Sequence, residues 1–210
     1  VADEAFFEKL IAFAKKHDIV VLADNAYSEV YFEPEDRPIS IMNIKGAKER
    51  SIEMHSFSKT FNMTGWRVGF VVGGKDLIQA FLTLKSNFDS GVFMAIQRAA
   101  SRALNHPEAE EFNRRRTEIF RVRREIIASA LDRIGFKYQM PRASYYFWVH
   151  IPKTYRSSVE FCADLLEKQG LVVTPGVGYG PSGENFFRIS MTSPNNKIND
   201  GMKRLEEFMK

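Results

Sequence analysis

Ser56-Phe57-Ser58-Lys59-Thr60-Phe61-Asn62-Met63-Thr64-Gly65-Trp66-Arg67 sets one lysine among hydroxyls and small residues and closes on an arginine. A lysine amine can form a Schiff base with a carbonyl, while hydroxyls and a cation suit a phosphate, so this run meets the needs of a phosphorylated aldehyde. Upstream, the apolar run Ile19-Val20-Val21-Leu22-Ala23 has strand length and ends in Asp24-Asn25-Ala26-Tyr27. Functional side chains of open α/β sheets gather at the carboxyl ends of strands. An acid placed there can pair with a protonated ring nitrogen; taken alone, Asp24 reads as well as a helix N-cap or turn acid. Near the other end, Asn185-Phe186-Phe187-Arg188-Ile189-Ser190 alternates like a strand and sets an arginine among apolar neighbours. Its planar fork matches a carboxylate, although a salt bridge on an edge strand would use the same residue.

The Ser56–Arg67 run, the Asp24-x-x-Tyr27 pair and Arg188-Ile189-Ser190 together resemble the class I/II aminotransferases of pyridoxal phosphate (PLP) fold type I. The wording is most similar to the branch that contains aspartate and LL-diaminopimelate aminotransferases. The resemblance implies PLP as cofactor, held covalently by Lys59. It implies that Asp24 faces the ring nitrogen, that Tyr27 donates to the ring phenolate oxygen, and that Ser56, Ser58 and Arg67 hold the phosphate. Lys59 and Asp24 are then the catalytic pair, with Lys59 also the base that moves the α-proton. Arg188 is the expected ligand of the substrate α-carboxylate, and Ser90 is expected to reach the phosphate of a neighbouring subunit of a homodimer. Amino acids and 2-keto acids are the implied substrates.

The resemblance covers essentially the whole chain but corresponds only to the C-terminal portion of such an enzyme. In the family an Asn-Pro-x-Gly segment, a Gly-containing phosphate loop and a ring-stacking aromatic come before the Asp-x-x-Tyr strand, and none is found here. The expectation is an incomplete part of the enzyme, inactive by itself. Two rivals remain at this level: an aminotransferase-like sensor domain of a transcriptional regulator, and an inactive fragment.

The pattern predicts an α/β fold: the C-terminal part of a fold type I large domain, mainly parallel sheet with flanking helices, over residues 1–125, then a small α+β domain over 126–210. Helices are predicted at Asp3–Lys16, Asp76–Leu84, Val92–Leu104, from after Pro107 to Ile134, at Ser158–Gln169 and at Lys197–Met209. Strands are predicted at Val20–Ala23, Ser51–Phe57, Trp66–Val72, Phe136–Tyr138, Tyr145–Ile151, Leu171–Thr174 and Phe186–Met191. Ser157 or Ser158 sits where an N-cap belongs and Gly170 where that helix stops.

The 210 residues hold 30 basic and 26 acidic side chains, a net charge of +4 that calls for no polyanionic partner. The positives concentrate between Arg114 and Arg124, within a helical apolar pattern, and are read as the wet face of a long helix; no nucleic acid is expected. No membrane-length apolar stretch or basic-then-apolar leader is found, so a cytoplasmic protein is expected. The one cysteine, Cys162, leaves no internal disulfide or metal cluster and reads as a small packing residue.

Overall fold

The computed structural model describes every residue from Val1 to Lys210. The chain divides into two compact units, Val1–Arg115 and Arg116–Lys210.

The first unit begins with helix α1 (Glu4–Lys16), whose N-terminus is capped by Asp3 accepting from the Phe6 amide at 2.8 Å. Lys15 and Lys16 in its last turn complement the helix dipole. Strand β1 (Val21–Asp24) pairs parallel with β2 (Ser51–Ser56). After β2 come the one-turn helix α2 (Phe57–Thr60) and strand β3 (Gly69–Gly73), which runs antiparallel to β2. The link from β2 to β3 holds no full crossover helix, so the chain doubles back and the sheet, in order β1-β2-β3, contains one parallel and one antiparallel pairing. Gly69 is required at this turn-back: a Cβ on it would lie 2.4 Å from the His55 carbonyl oxygen.

One side of this sheet is covered by a core of Ile11, Ile41, Ile44 and Ala47, against which Phe7, Leu10, Val21 and Ala23 pack. A second core, Phe57, Met63, Val68 and Ala100, packs with Phe61, Val92, Ile96 and Ala103. It joins the turn after β2 to helix α4 (Met94–Leu104). Helix α3 (Lys75–Phe88) buries no residue, and Phe88, Phe93 and Leu22 are 80%, 72% and 62% exposed.

Helix α5 (Ala109–Ile134) contains the division between the units. In the second unit the sheet order is β4-β6-β5, from β4 (Tyr146–His150), β5 (Thr174–Pro175) and β6 (Phe186–Ser190), all pairings antiparallel. Helices α6 (Ser158–Gln169) and α7 (Asn195–Phe208) complete it. Phe147, Phe161, Phe187, Leu131, Leu165 and Leu205 are fully buried. Each such side chain contributes about 1.5–3 kcal/mol by leaving water. Ser157 caps α6 by accepting from the Glu160 amide, and Gly170 ends it in the left-handed conformation at φ 61°.

Four expectations need correction. Residues 136–138 form no strand, only a bridge from Tyr138 to Val149, and the strand expected at 171–174 is confined to Thr174–Pro175. Trp66 belongs to a single 3-10 turn, and β3 starts at Gly69. The arginine run is not uniformly wet. Arg116, Phe120, Arg124, Ile127, Ala128 and Leu131 recur at helical spacing, and Arg116 and Arg124 are only 4% and 9% exposed. Arg124 donates to the Pro141 carbonyl at 3.3 Å, and Arg123 reaches the Met191 carbonyl and Asn195 at 3.1 Å. Elsewhere in the run the charges pair locally, Arg114 and Arg115 with Glu111 and Arg121 with Glu118. Cys162 is buried, and burial pushes its thiol up to about 11. No helix is long and apolar enough to cross a membrane.

Candidate active site

Because β1 and β2 are parallel, their carboxyl ends lie side by side, and Asp24 and Ser56 are the last residues of the two strands. Register places Asp24 opposite Met54, so Asp24, Met54 and Ser56 share one face of the sheet. The Asn25 amide donates to the Met54 carbonyl at 2.8 Å, after which the chain turns with Ser28 on Asn25 and Val30 on Tyr27. Tyr27 is half-buried within this turn.

Lys59 sits in α2, a turn tied down by its own hydroxyls. Ser56 caps it, accepting from the Ser58 amide at 3.1 Å; Thr60 donates back to the Ser56 carbonyl at 3.4 Å, and Thr64 donates to the Ser58 carbonyl at 3.1 Å. Ser58 is buried, Lys59 half-buried. Arg67 follows in the left-handed region at φ 51°, a conformation that costs a non-glycine residue about 1–2 kcal/mol. Its guanidinium donates to the Thr64 carbonyl at 3.0 Å and has no acidic partner. Asp24 is exposed and likewise has no cationic partner. Ser90 lies apart from this turn, exposed beyond the end of α3, where Asp89 accepts from the Gly91 amide at 2.7 Å and from Lys85 at 2.6 Å.

On the opposite face of β2 lies a constellation that the sequence reading missed. Glu53, 1% exposed, accepts from Asn25 Nδ2 at 3.2 Å, Ser40 Oγ at 2.9 Å, the Ile41 amide at 2.8 Å and His55 Nε2 at 2.6 Å. Burial raises the pKa of its carboxyl, but the bonds from His55, Asn25, Ser40 and the Ile41 amide outweigh it and hold the group down at about 2. His55 in turn stacks on Phe70, ring centroids 4.6 Å apart. A cavity of about 760 Å³ opens beside Asn25, Glu53, His55, Ser56, Phe57 and Thr60; Asp24, Tyr27, Lys59 and Arg67 are not on its wall.

In the second unit, Arg188 lies on β6, opposite Trp148 of β4 and Thr174 of β5. Phe187 and Ile189 face the core, so Arg188 shares the other face of the sheet with Tyr146 and Trp148. Its guanidinium carbon is 4.0 Å from the centroid of the Tyr146 ring and 4.7 Å from that of Tyr179. Its Nε is buried without a hydrogen-bond partner, and no acid pairs with it. Tyr146 was not singled out in the sequence; the aromatic residues at alternate positions of β4, Tyr146 and Trp148, were the available signal.

Residues 1–205 match the model of a family described as aminotransferase class I and II. The chain belongs to this family. Among curated relatives of this aminotransferase chain are LL-diaminopimelate aminotransferases of Nitratidesulfovibrio vulgaris, 43% identical over 97% of the chain, and of Gloeobacter violaceus, 46% identical over 98%. The chain spans 52% of the length of each of them. Among solved structures, apo-BacF from Bacillus subtilis superposes with a TM-score of 0.92 at 36% identity, over 99% of this chain and 52% of BacF. The aromatic aminotransferase from Pyrococcus horikoshii OT3 does so with a TM-score of 0.93 at 28% identity, over 99% and 55%. These neighbours agree with an α/β aminotransferase fold of which the chain represents the C-terminal portion.

Class I and II aminotransferases depend on PLP. The donor set here fits that group: a half-buried lysine in a turn with two serines, a cation beside it without an acid, and an acid at a strand end without a cation. Neither Arg67 nor Asp24 is engaged in an ion pair within the fold.

Proposed function

We propose that this chain carries the cofactor lysine, the ring acid and the carboxylate arginine of a PLP-dependent aminotransferase, which moves an α-amino group between an amino acid and a 2-keto acid. The observation that carries this reading is the set Asp24, Arg67 and Arg188, ionisable side chains on strand ends, turns and faces with no counter-ion of their own. When bound, PLP supplies a protonated ring that draws electrons from the substrate α-carbon.

The residues divide the remaining work. Lys59 holds the cofactor through its amine; once an incoming amino group releases it, the same amine takes the proton from the substrate α-carbon. Asp24 keeps the ring nitrogen protonated by its charge, and Tyr27 donates its hydroxyl to the ring oxygen. Ser56, Ser58 and Arg67 anchor the phosphate with charge-assisted hydrogen bonds, which fixes the ring against rotation. Arg188 holds the substrate α-carboxylate through its planar fork. Ser90 is assigned to the phosphate of a neighbouring subunit, and the assembly to a homodimer. LL-diaminopimelate is the amino donor to test first, because the relatives at 40–46% identity carry its name. Turnover is proposed for the protein in which this chain is joined to the rest of the relatives' length, with little by the chain alone.

Borohydride trapping tests the central assignment. PLP is added, the protein is reduced and its peptides are mapped; the label is expected on Lys59 and is lost in Lys59→Ala. A label on another lysine overturns it.

A further inference from the structure

We infer that Tyr146 and Tyr179 are positioning residues that hold the Arg188 guanidinium between their rings in place of an acidic partner, leaving its N–H fork open to a carboxylate. The inference rests on the proposed carboxylate role of Arg188 and says how the protein readies that residue.

An arginine on a sheet face usually meets an aspartate or glutamate, which fixes it but also occupies the fork that a substrate carboxylate needs. Here rings do the fixing. The guanidinium carbon lies 4.0 Å from the Tyr146 ring centroid and 4.7 Å from that of Tyr179, within the range at which the negative face of an aromatic ring attracts a cation. Rings satisfy charge without accepting an N–H bond in the plane of the guanidinium. Nε accordingly stays buried and without a partner; the Nε of Arg124 is orphaned too, but Arg124 spends another nitrogen on the Pro141 carbonyl, whereas the Arg188 side chain makes no hydrogen bond or ion pair at all.

Both rings are carried by fixed backbone. Tyr146 is the first residue of β4 and directly follows the buried Tyr145, and the chain enters that strand through Ser144 in the left-handed region at φ 68°. Tyr179 is carried by the Gly176–Gly183 loop. At its base the two end glycines touch so closely that a Cβ on either would lie 2.1 Å from the other's carbonyl oxygen. The buried Ser158 accepts from the Val177 amide at 3.3 Å, while its own amide donates to Glu184 at 2.7 Å. Trp148 meets Tyr179 edge-on at 5.3 Å and closes the side of the clamp. Tyr179 itself is 51% exposed, so the loop brings it to Arg188 without burying it in the core.

The experiment uses the full chain with 15N-labelled arginine and follows the Arg188 Nε–H signal by NMR during titration with succinate, a dicarboxylate that cannot be transaminated. Tyr179→Leu and Tyr146→Leu should each weaken succinate binding roughly ten-fold, the scale of one cation–π contact. Tyr179→Phe and Tyr146→Phe, which keep the ring, should bind like the parent. Without succinate, the Nε–H signal should lose the ring-current shift of the removed ring. Unchanged affinity in both leucine variants overturns the clamp while leaving Arg188 as a carboxylate ligand. A parent protein in which succinate leaves the Arg188 signal unmoved overturns the carboxylate reading itself. Tyr179 sits at an exposed loop tip, so its variants stay folded and decide the question even if Tyr146→Leu does not fold.

Discussion

Glu53 and Arg188 are both ionisable residues in the middle of a strand, and the two units treat them in opposite ways. Glu53 is saturated: its two oxygens take four donors from three separate segments of the first unit. Arg188 is stabilised by ring faces alone, its Nε unpartnered. A buried charge with every bond made specifies a fold, because moving any of its donors strands the charge. One with an open fork is poised for a group that comes and goes. The two kinds of site therefore separate without reference to sequence motifs, by asking whether the hydrogen-bonding capacity of the charge is spent.

The largest effect should come from removing the saturated charge. Glu53→Ala leaves His55, Asn25, Ser40 and the Ile41 amide without their acceptor and should destabilise the first unit by about 3–5 kcal/mol. Urea unfolding followed by circular dichroism measures this. A loss below about 1 kcal/mol would mean that the network is dispensable, and the contrast with Arg188 would fail.

Acid should reproduce part of that loss without a mutation. The Glu53 carboxyl is held down at about 2, from an ordinary value of 4.5. A depressed carboxyl contributes stability that is fully present above the unfolded value and disappears as pH falls towards the folded one. The difference, 4.5 less about 2, corresponds to about 3 kcal/mol. Stability of the parent should therefore fall between about pH 4.5 and pH 2 more steeply than that of Glu53→Gln. Parallel pH profiles for the two proteins would place the acid sensitivity elsewhere.

Arg188 stands out in the sequence as a candidate carboxylate ligand and Glu53 does not, for a physical reason. Lys59, Asp24 and Arg188 announce themselves locally, by a chemically unusual residue at a strand end or amid a strand's apolar alternation, and the strand pattern around them is short-range. Glu53 sits in Ser51-Ile52-Glu53-Met54-His55-Ser56, where alternation reads as easily with the polar residues facing water. Its partners, Asn25, Ser40 and Ile41, lie 12 to 28 residues away and meet it only once β1 and β2 are paired. Arg116 and Arg124 were misread in the same way, since charge argued for solvent while their helical phase matched Ile127, Ala128 and Leu131. The breaks at 136–138 and 171–173 were also out of reach, because strand ends depend on which neighbour supplies the hydrogen bonds.

The smallest effect should come from the unsaturated charge, and it completes the contrast. Arg188→Met keeps a long apolar side chain against Tyr146 and Tyr179, removes the buried Nε that bonds to nothing, and gives up the attraction of the rings for a cation. The first change relieves a desolvated donor and the last sacrifices up to about 2 kcal/mol, so the two nearly cancel. The stability of the second unit should move by less than about 1 kcal/mol in either direction, read from the same urea curves, while succinate binding at that position disappears. If Arg188→Met instead costs as much as Glu53→Ala, the arginine is a structural charge whose partners are the rings themselves. The open fork would then be a by-product of packing, not a site held ready for a carboxylate.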